Sequence, residues 1–113
     1  MLDKHLVKIQ QQCKAAMQQA SAFGGQKCPA GLALWKINTK MQKAAPNSWP
    51  QKVNTLRNKA QADWNQSKSL KNAAAPMPMN TIQECEAKLS KLSAAISYNY
   101  AAVKACQEAL GLF

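Results

Sequence analysis

Acidic side chains are scarce in this sequence. Asp3, Asp63, Glu84, Glu86 and Glu108 are its five acids, against fifteen Lys and Arg, and the formal net charge is +10. Only Glu84 and Glu86 are close in sequence, and on a helix they point to different faces, so acid–base work by paired carboxylates has no footing. Histidine is scarcer still. His5 stands alone, and Cys13, eight residues along the same helix, is about 12 Å away, too far for an activated thiolate–imidazole pair. No C-x-x-C pair is present, which argues against zinc and thioredoxin-like redox sites. Arg57 is the single arginine among fourteen lysines, so base readout by a guanidinium fork is disfavoured and nucleic acid is left with unspecific phosphate contact at most.

Other absences bound the class of protein. No apolar run approaches the roughly 18 residues that a membrane span needs. The first residues, MLDKHLVKIQQQC, lack the apolar core and small-residue cleavage site of a secretory signal, so an exported form would be the mature chain behind an added Met1. The two thioethers of Met77 and Met79 are the only candidates for a soft metal ion, and packing under a loop is the reading preferred for them. No catalytic, cofactor or metal constellation emerges, and the chain is expected not to be an enzyme.

Val, Ile, Phe and Tyr are also few, while Ala, Gln, Lys and Leu abound, a helical rather than a strand composition. At 113 residues the chain is read as one domain, residues 1–113. Leu2, Leu6, Ile9, Cys13, Ala16, Ala20 and Phe23 form one face of a first helix over residues 2–23, ended by Gly24 and Gly25. Pro29 opens a second helix, 29–45, with a buried stripe of Leu34, Ile37, Met41 and Ala44 and an adjoining one of Cys28, Leu32 and Trp35. Trp35 and Trp49 are read as core anchors. Ser48 is the expected cap of a third helix, 49–71, whose inward row is Trp49, Val53, Leu56, Ala60 and then Trp64 in preference to Asp63. The two prolines of NAAAPMPM make residues 72–79 the linker. Asn80 or Thr81, with Glu84, begins a last helix over 80–111. Its stripe of Ile82, Cys85, Leu89, Leu92, Ile96, Asn99, Val103, Cys106 and Leu110 holds for four heptads.

Four cysteines, Cys13, Cys28, Cys85 and Cys106, imply disulfides and hence a periplasmic or secreted location. Cys85 and Cys106 lie about 31 Å apart on one helix and cannot join each other. An up-down bundle brings the starts of helices 2 and 4 to one end, which pairs Cys28 with Cys85 and leaves Cys13 with Cys106. The alternative joins Cys13 to Cys28 and leaves the other two free or bonded between chains. The fold expected is therefore all-α, a disulfide-stapled four-helix bundle, up-down, with a long C-terminal helix. That helix either overhangs, exposing Val103, Leu110, Leu112 and Phe113, or kinks near Tyr98, Asn99 and Tyr100.

The charge is one-sided. Residues 4–71 carry twelve basic groups and only Asp63, while residues 72–113 set Lys88, Lys91 and Lys104 against Glu84, Glu86 and Glu108. Such a field favours an acidic-surfaced partner, although a merely solubilising surface has the same composition. Lys36, Lys40 and Lys43 line up on helix 2, and Lys52, Arg57 and Lys59 continue the patch on helix 3, so these six are the expected partner-binding residues. The functional expectation is a small exported protein that binds another protein, most concretely an inhibitor or immunity protein of an envelope-acting enzyme or toxin. Two alternatives stand beside it: a cationic protein on anionic membrane or cell-envelope polymer, and a structural protein that self-associates as a homodimer through the last helix.

Overall fold

The computed structural model describes residues 3–113, and these form four helices with no strand among them: α1 (Lys4–Ala20), α2 (Pro29–Lys43), α3 (Gln51–Ala74) and α4 (Ile82–Leu110). Leu2, the first member of the α1 stripe, lies outside the described residues. Each helix begins for a local reason. The Asp3 carboxylate accepts the backbone N–H groups of His5 at 3.0 Å and Leu6 at 3.3 Å, placing negative charge at the positive end of α1. Thr81 and Glu84 form a complete capping box at the start of α4. Pro50 precedes α3 with no side-chain cap, so Ser48 does not play the part expected of it.

The start of α2 is unusual. The Cys28 thiol accepts the Gly31 N–H at 3.3 Å and donates to the Phe23 carbonyl at 3.6 Å, doing the work of a serine cap. α3 runs to Ala74, beyond the residue 71 read from sequence, and the connection to α4 shortens accordingly. Lys88 closes that connection from below. The residue is 3% exposed, and its ammonium donates to the carbonyls of Ala75 at 3.2 Å and Met77 at 2.8 Å, satisfying acceptors at the negative end of α3.

α3 and α4 pack as an antiparallel pair through small residues. The Ser67 hydroxyl donates to the Ala95 carbonyl at 2.7 Å, which sets the register. Steps of seven in opposite directions then set Ala60 beside Ala102, Val53 beside Ala109 and Ala74 beside Lys88, all of them buried. Of the stripe read on α4, Cys85, Leu92, Asn99 and Cys106 are buried as expected. Leu89, Ile96, Val103 and Leu110 are half-buried shoulders, because only the short side chains of Ala95, Ala102 and Ala109 let the two backbones close up. On α3 the fully inward positions are Ala60 and Ser67, with Asp63 and Trp64 both half-buried between them.

α1 and α2 do not lie side by side. Gln10 donates to the Met79 carbonyl, Cys13 meets Cys85, Phe23 lies with Ile96 and Asn99, and Pro29 lies with Val103, so the two helices follow each other along α4 and parallel to it. The turns of residues 21–28 bend the chain without reversing it. The result is a rod of 66 × 20 × 19 Å, a helical bundle three helices thick in place of an up-down set of four. α4 is one unbroken helix over Ile82–Leu110, and its second half does not overhang because α2 covers it. Phe113 returns to stack on Trp49, ring centroids 5.8 Å apart.

The expected staples are absent, and Cys13, Cys28, Cys85 and Cys106 are all free and buried. The end-to-end course of α1 and α2 explains why each expected pairing fails. Cys28 sits level with Asn99, whose amide nitrogen is 3.9 Å from its sulfur. That level is about 21 Å along α4 from Cys85 and about 10 Å from Cys106 at 1.5 Å per residue. Cys13 lies beside Cys85 instead, its thiol donating to the Cys85 carbonyl at 3.2 Å, and is far from both Cys28 and Cys106.

Candidate docking face on α2

α2 rests in the notch between α3 and α4 and buries Ala30, Gly31, Leu34 and Ile37 there. Gly31 permits the close approach, since a Cβ at that position would lie 2.5 Å from the Gln26 carbonyl oxygen. With that side inward, the helical period turns Leu32, Trp35, Lys36, Lys40 and Lys43 to solvent. Trp35 is 64% exposed and Leu32 46%, so Trp35 is not the core anchor expected. An indole held in the open beside a leucine is the arrangement of an interface anchor.

A groove runs along each side of this ridge. On the α3 side an open depression of about 430 Å³ is walled by Trp35 and Trp64, with Gln26 and Gln61 at its edges. Trp64 is fixed there by its indole N–H, which donates to the Phe23 carbonyl at 2.8 Å, and the Lys68 ammonium lies 3.9 Å from its ring centre. On the α4 side a groove of about 370 Å³ is floored by Val103, Cys106 and Leu110 and edged by Lys36. Leu32 and Lys27 border both. Burial pushes the Cys106 thiol up to about 11, so the groove floor stays uncharged and unreactive at neutral pH.

The six basic residues singled out from sequence divide into two groups. Lys52 pairs with Glu108 at 3.2 Å and Lys59 with Asp63 at 2.6 Å, the only ion pairs among the described residues. Arg57 donates to Asn38 at 3.2 Å and to Asn58 at 2.9 Å, tying α3 to α2. The three on α3 are thus engaged within the chain. Lys36, Lys40 and Lys43 on α2 have no carboxylate partner, and Lys40 lies 5.6 Å from the centre of the Phe113 ring. Lys27, which sequence reasoning passed over, joins them because the 21–28 turns set it beside Leu32. The inward stripe was read correctly, since Leu34 and Ile37 are buried with Met41 packed beside them, and the error lay in taking Trp35 of the adjoining stripe as a core anchor.

His5 is exposed, and no three His, Cys, Asp or Glu side chains among the described residues converge where a metal ion could sit. No helix among them is long and apolar enough to cross a membrane. No protein-family model, curated protein or solved structure matches the chain.

Proposed function

We propose that this protein works by binding another protein, through the outer face of α2 and the grooves beside it, and that the partner presents carboxylates around an apolar anchor. One observation carries the reading: Trp35 and Leu32 stand exposed among Lys27, Lys36 and Lys40, three ammoniums with no carboxylate of their own. Apolar area gives such a contact its affinity, and the free cations give it rate and orientation. An exported inhibitor or immunity protein acting on an envelope enzyme or toxin is the concrete form. The charge of +10 and the exposed anchor support the binding part of that description, while the four free cysteines lend export no support.

The same face suits a second occupant, an anionic membrane or envelope polymer, because a tryptophan among lysines also serves at lipid surfaces. Salt separates the two. Binding through spread charge falls steadily as ionic strength rises, whereas a fitted protein interface slows in association first and retains much of its affinity. The test compares wild type, Trp35→Glu and Lys36→Glu/Lys40→Glu, with Lys14→Glu as a control on α1. Each is used to capture proteins from an envelope extract, the captured protein is purified, and its affinity is measured directly across a salt series. Loss of binding in the two α2 variants and retention in the control supports the protein-binding reading. Equal capture by all four proteins removes it, and salt-labile binding to anionic vesicles alone transfers the face to the membrane reading.

A further inference from the structure

We infer that Cys13 and Cys85 are a redox couple, which closes to one intramolecular disulfide clamping α1 to α4 under oxidising conditions while Cys28 and Cys106 stay reduced. The two are the only cysteines placed side by side, with the Cys13 thiol 3.2 Å from the Cys85 carbonyl oxygen, and both are fully buried. The Cys13 thiol is raised first by burial and then by the Cys85 thiol facing it, so the couple is quiet until an oxidant reaches it. Cys28 is held by Gly31 and Phe23 at the α2 cap, level with Asn99, and Cys106 lies under the α2 groove, so these two have no neighbouring sulfur.

The position of the pair gives the bridge a consequence. α1 packs against α4 near the α3–α4 turn, and its first residues pass beyond that turn, since Gln10 is already level with Met79. α1 is therefore the element most free to lift, and lifting it is what admits an oxidant to the pair. With a small disulfide such as oxidised glutathione, one cysteine thiolate attacks a glutathione sulfur and expels a glutathione thiolate. The other cysteine then displaces the second glutathione. Two electrons and the two thiol protons leave the protein, and two reduced glutathione molecules result. The bridge spans 72 residues of chain, a long loop whose closure constrains the unfolded state strongly. The inference concerns the opposite end of the rod from the α2 face and stands independently of it.

The test incubates and refolds the full chain in oxidised glutathione at mildly alkaline pH, quenches in acid, and alkylates in denaturant. Mass spectrometry is expected to count two alkylated thiols in a monomer and to find one linked peptide pair, Cys13 with Cys85. The thermal midpoint of the bridged form should rise by on the order of 10 °C over the reduced form. Cys13→Ser and Cys85→Ser should each keep three alkylatable thiols, while Cys28→Ser and Cys106→Ala should still form the bridge. Four thiols alkylated after both treatments would overturn the inference, as would linked peptides containing Cys28 or Cys106, or a bridge found only between chains.

Discussion

Ser67 on α3 donates its hydroxyl to the Ala95 carbonyl on α4 at 2.7 Å, with both residues fully out of water. The contact reports how near the two backbones come, and the size of the side chain matters there more than its polarity. Ser67→Ala should cost about 1 kcal/mol, the net worth of one hydrogen bond. Ser67→Leu should cost about 3 kcal/mol, because the added carbons must push α3 from α4 along a row of alanines that cannot shrink. Urea midpoints of the two variants check this, and equal losses would show that the helices are not closely packed at this level.

Lys88 holds the α3–α4 turn through two carbonyls while almost wholly buried. Lys88→Met keeps the aliphatic packing but leaves both acceptors without a donor, at an expected cost of about 2 kcal/mol. Amide hydrogen exchange should quicken at Met77 and Met79 more than at Ala102 or Ala105. A uniform change along the rod would contradict the capping role.

Gly31→Ala sets two effects against each other. Helix propensity alone favours alanine by about 1 kcal/mol. The new Cβ would sit 2.5 Å from the Gln26 carbonyl oxygen, a backbone atom with little room to yield, and the clash should prevail with a net loss of about 2 kcal/mol. Gly24→Ala is the control, since the nearest atom there is the flexible end of Lys71 at 3.8 Å. Thermal midpoints that move equally in both variants would deny the close approach at Gly31.

Trp35→Ala should separate stability from binding. The side chain is 64% exposed, so the unfolding midpoint should shift by less than about 1 kcal/mol. Affinity for a partner at the α2 face should fall at least about tenfold, as for an interface anchor. A large stability loss would return Trp35 to the core.

Burial lifts Cys106 from the ordinary 9.0 to about 11. The folded chain therefore keeps a proton that the unfolded chain releases once the pH passes about 9, and folding free energy is lost as pH rises between about 9 and about 11. Cys106→Val removes this part of the alkaline loss. Urea midpoints for both proteins at successive pH values in that window give the answer, and parallel curves would mean that the thiol is not effectively buried.

The helices were legible in the chain because their causes are local. Apolar spacing, Pro29, Pro46, the Thr81–Glu84 box and the prolines of 76 and 78 act within a few residues, and the helices found lie within a few residues of those read. The inward faces of α1, α2 and α3 were legible too, since Cys13, Ala20, Ile37, Val53 and Ala60 are buried as their spacing implied. On α4 half of the stripe holds, with Cys85, Leu92, Asn99 and Cys106 buried, while Ala95, Ala102 and Ala109 lie deeper than Leu89, Ile96, Val103 and Leu110 because depth follows the closest approach of two backbones.

The candidate face shows the same division. Lys36, Lys40 and Lys43 could be found from their spacing, but that Lys52, Lys59 and Arg57 spend themselves on Glu108, Asp63 and Asn38 depends on neighbours from other helices. Trp35 was misplaced for the same reason, because an adjoining stripe can serve as core or as surface until the packing partners are known.

The sequence by itself determined an all-helical chain, its four segments and its excess of positive charge, because periodicity, capping and composition require no distant contact. Only the tertiary structure decided that α1 and α2 run in line along α4. The turns of residues 21–28 are compatible with reversal or continuation, and the choice falls to the burial of Phe23, Cys28 and Leu34 against α3 and α4. That choice brings Cys13 to Cys85, separates Cys28 from Cys106 and leaves Trp35 facing water.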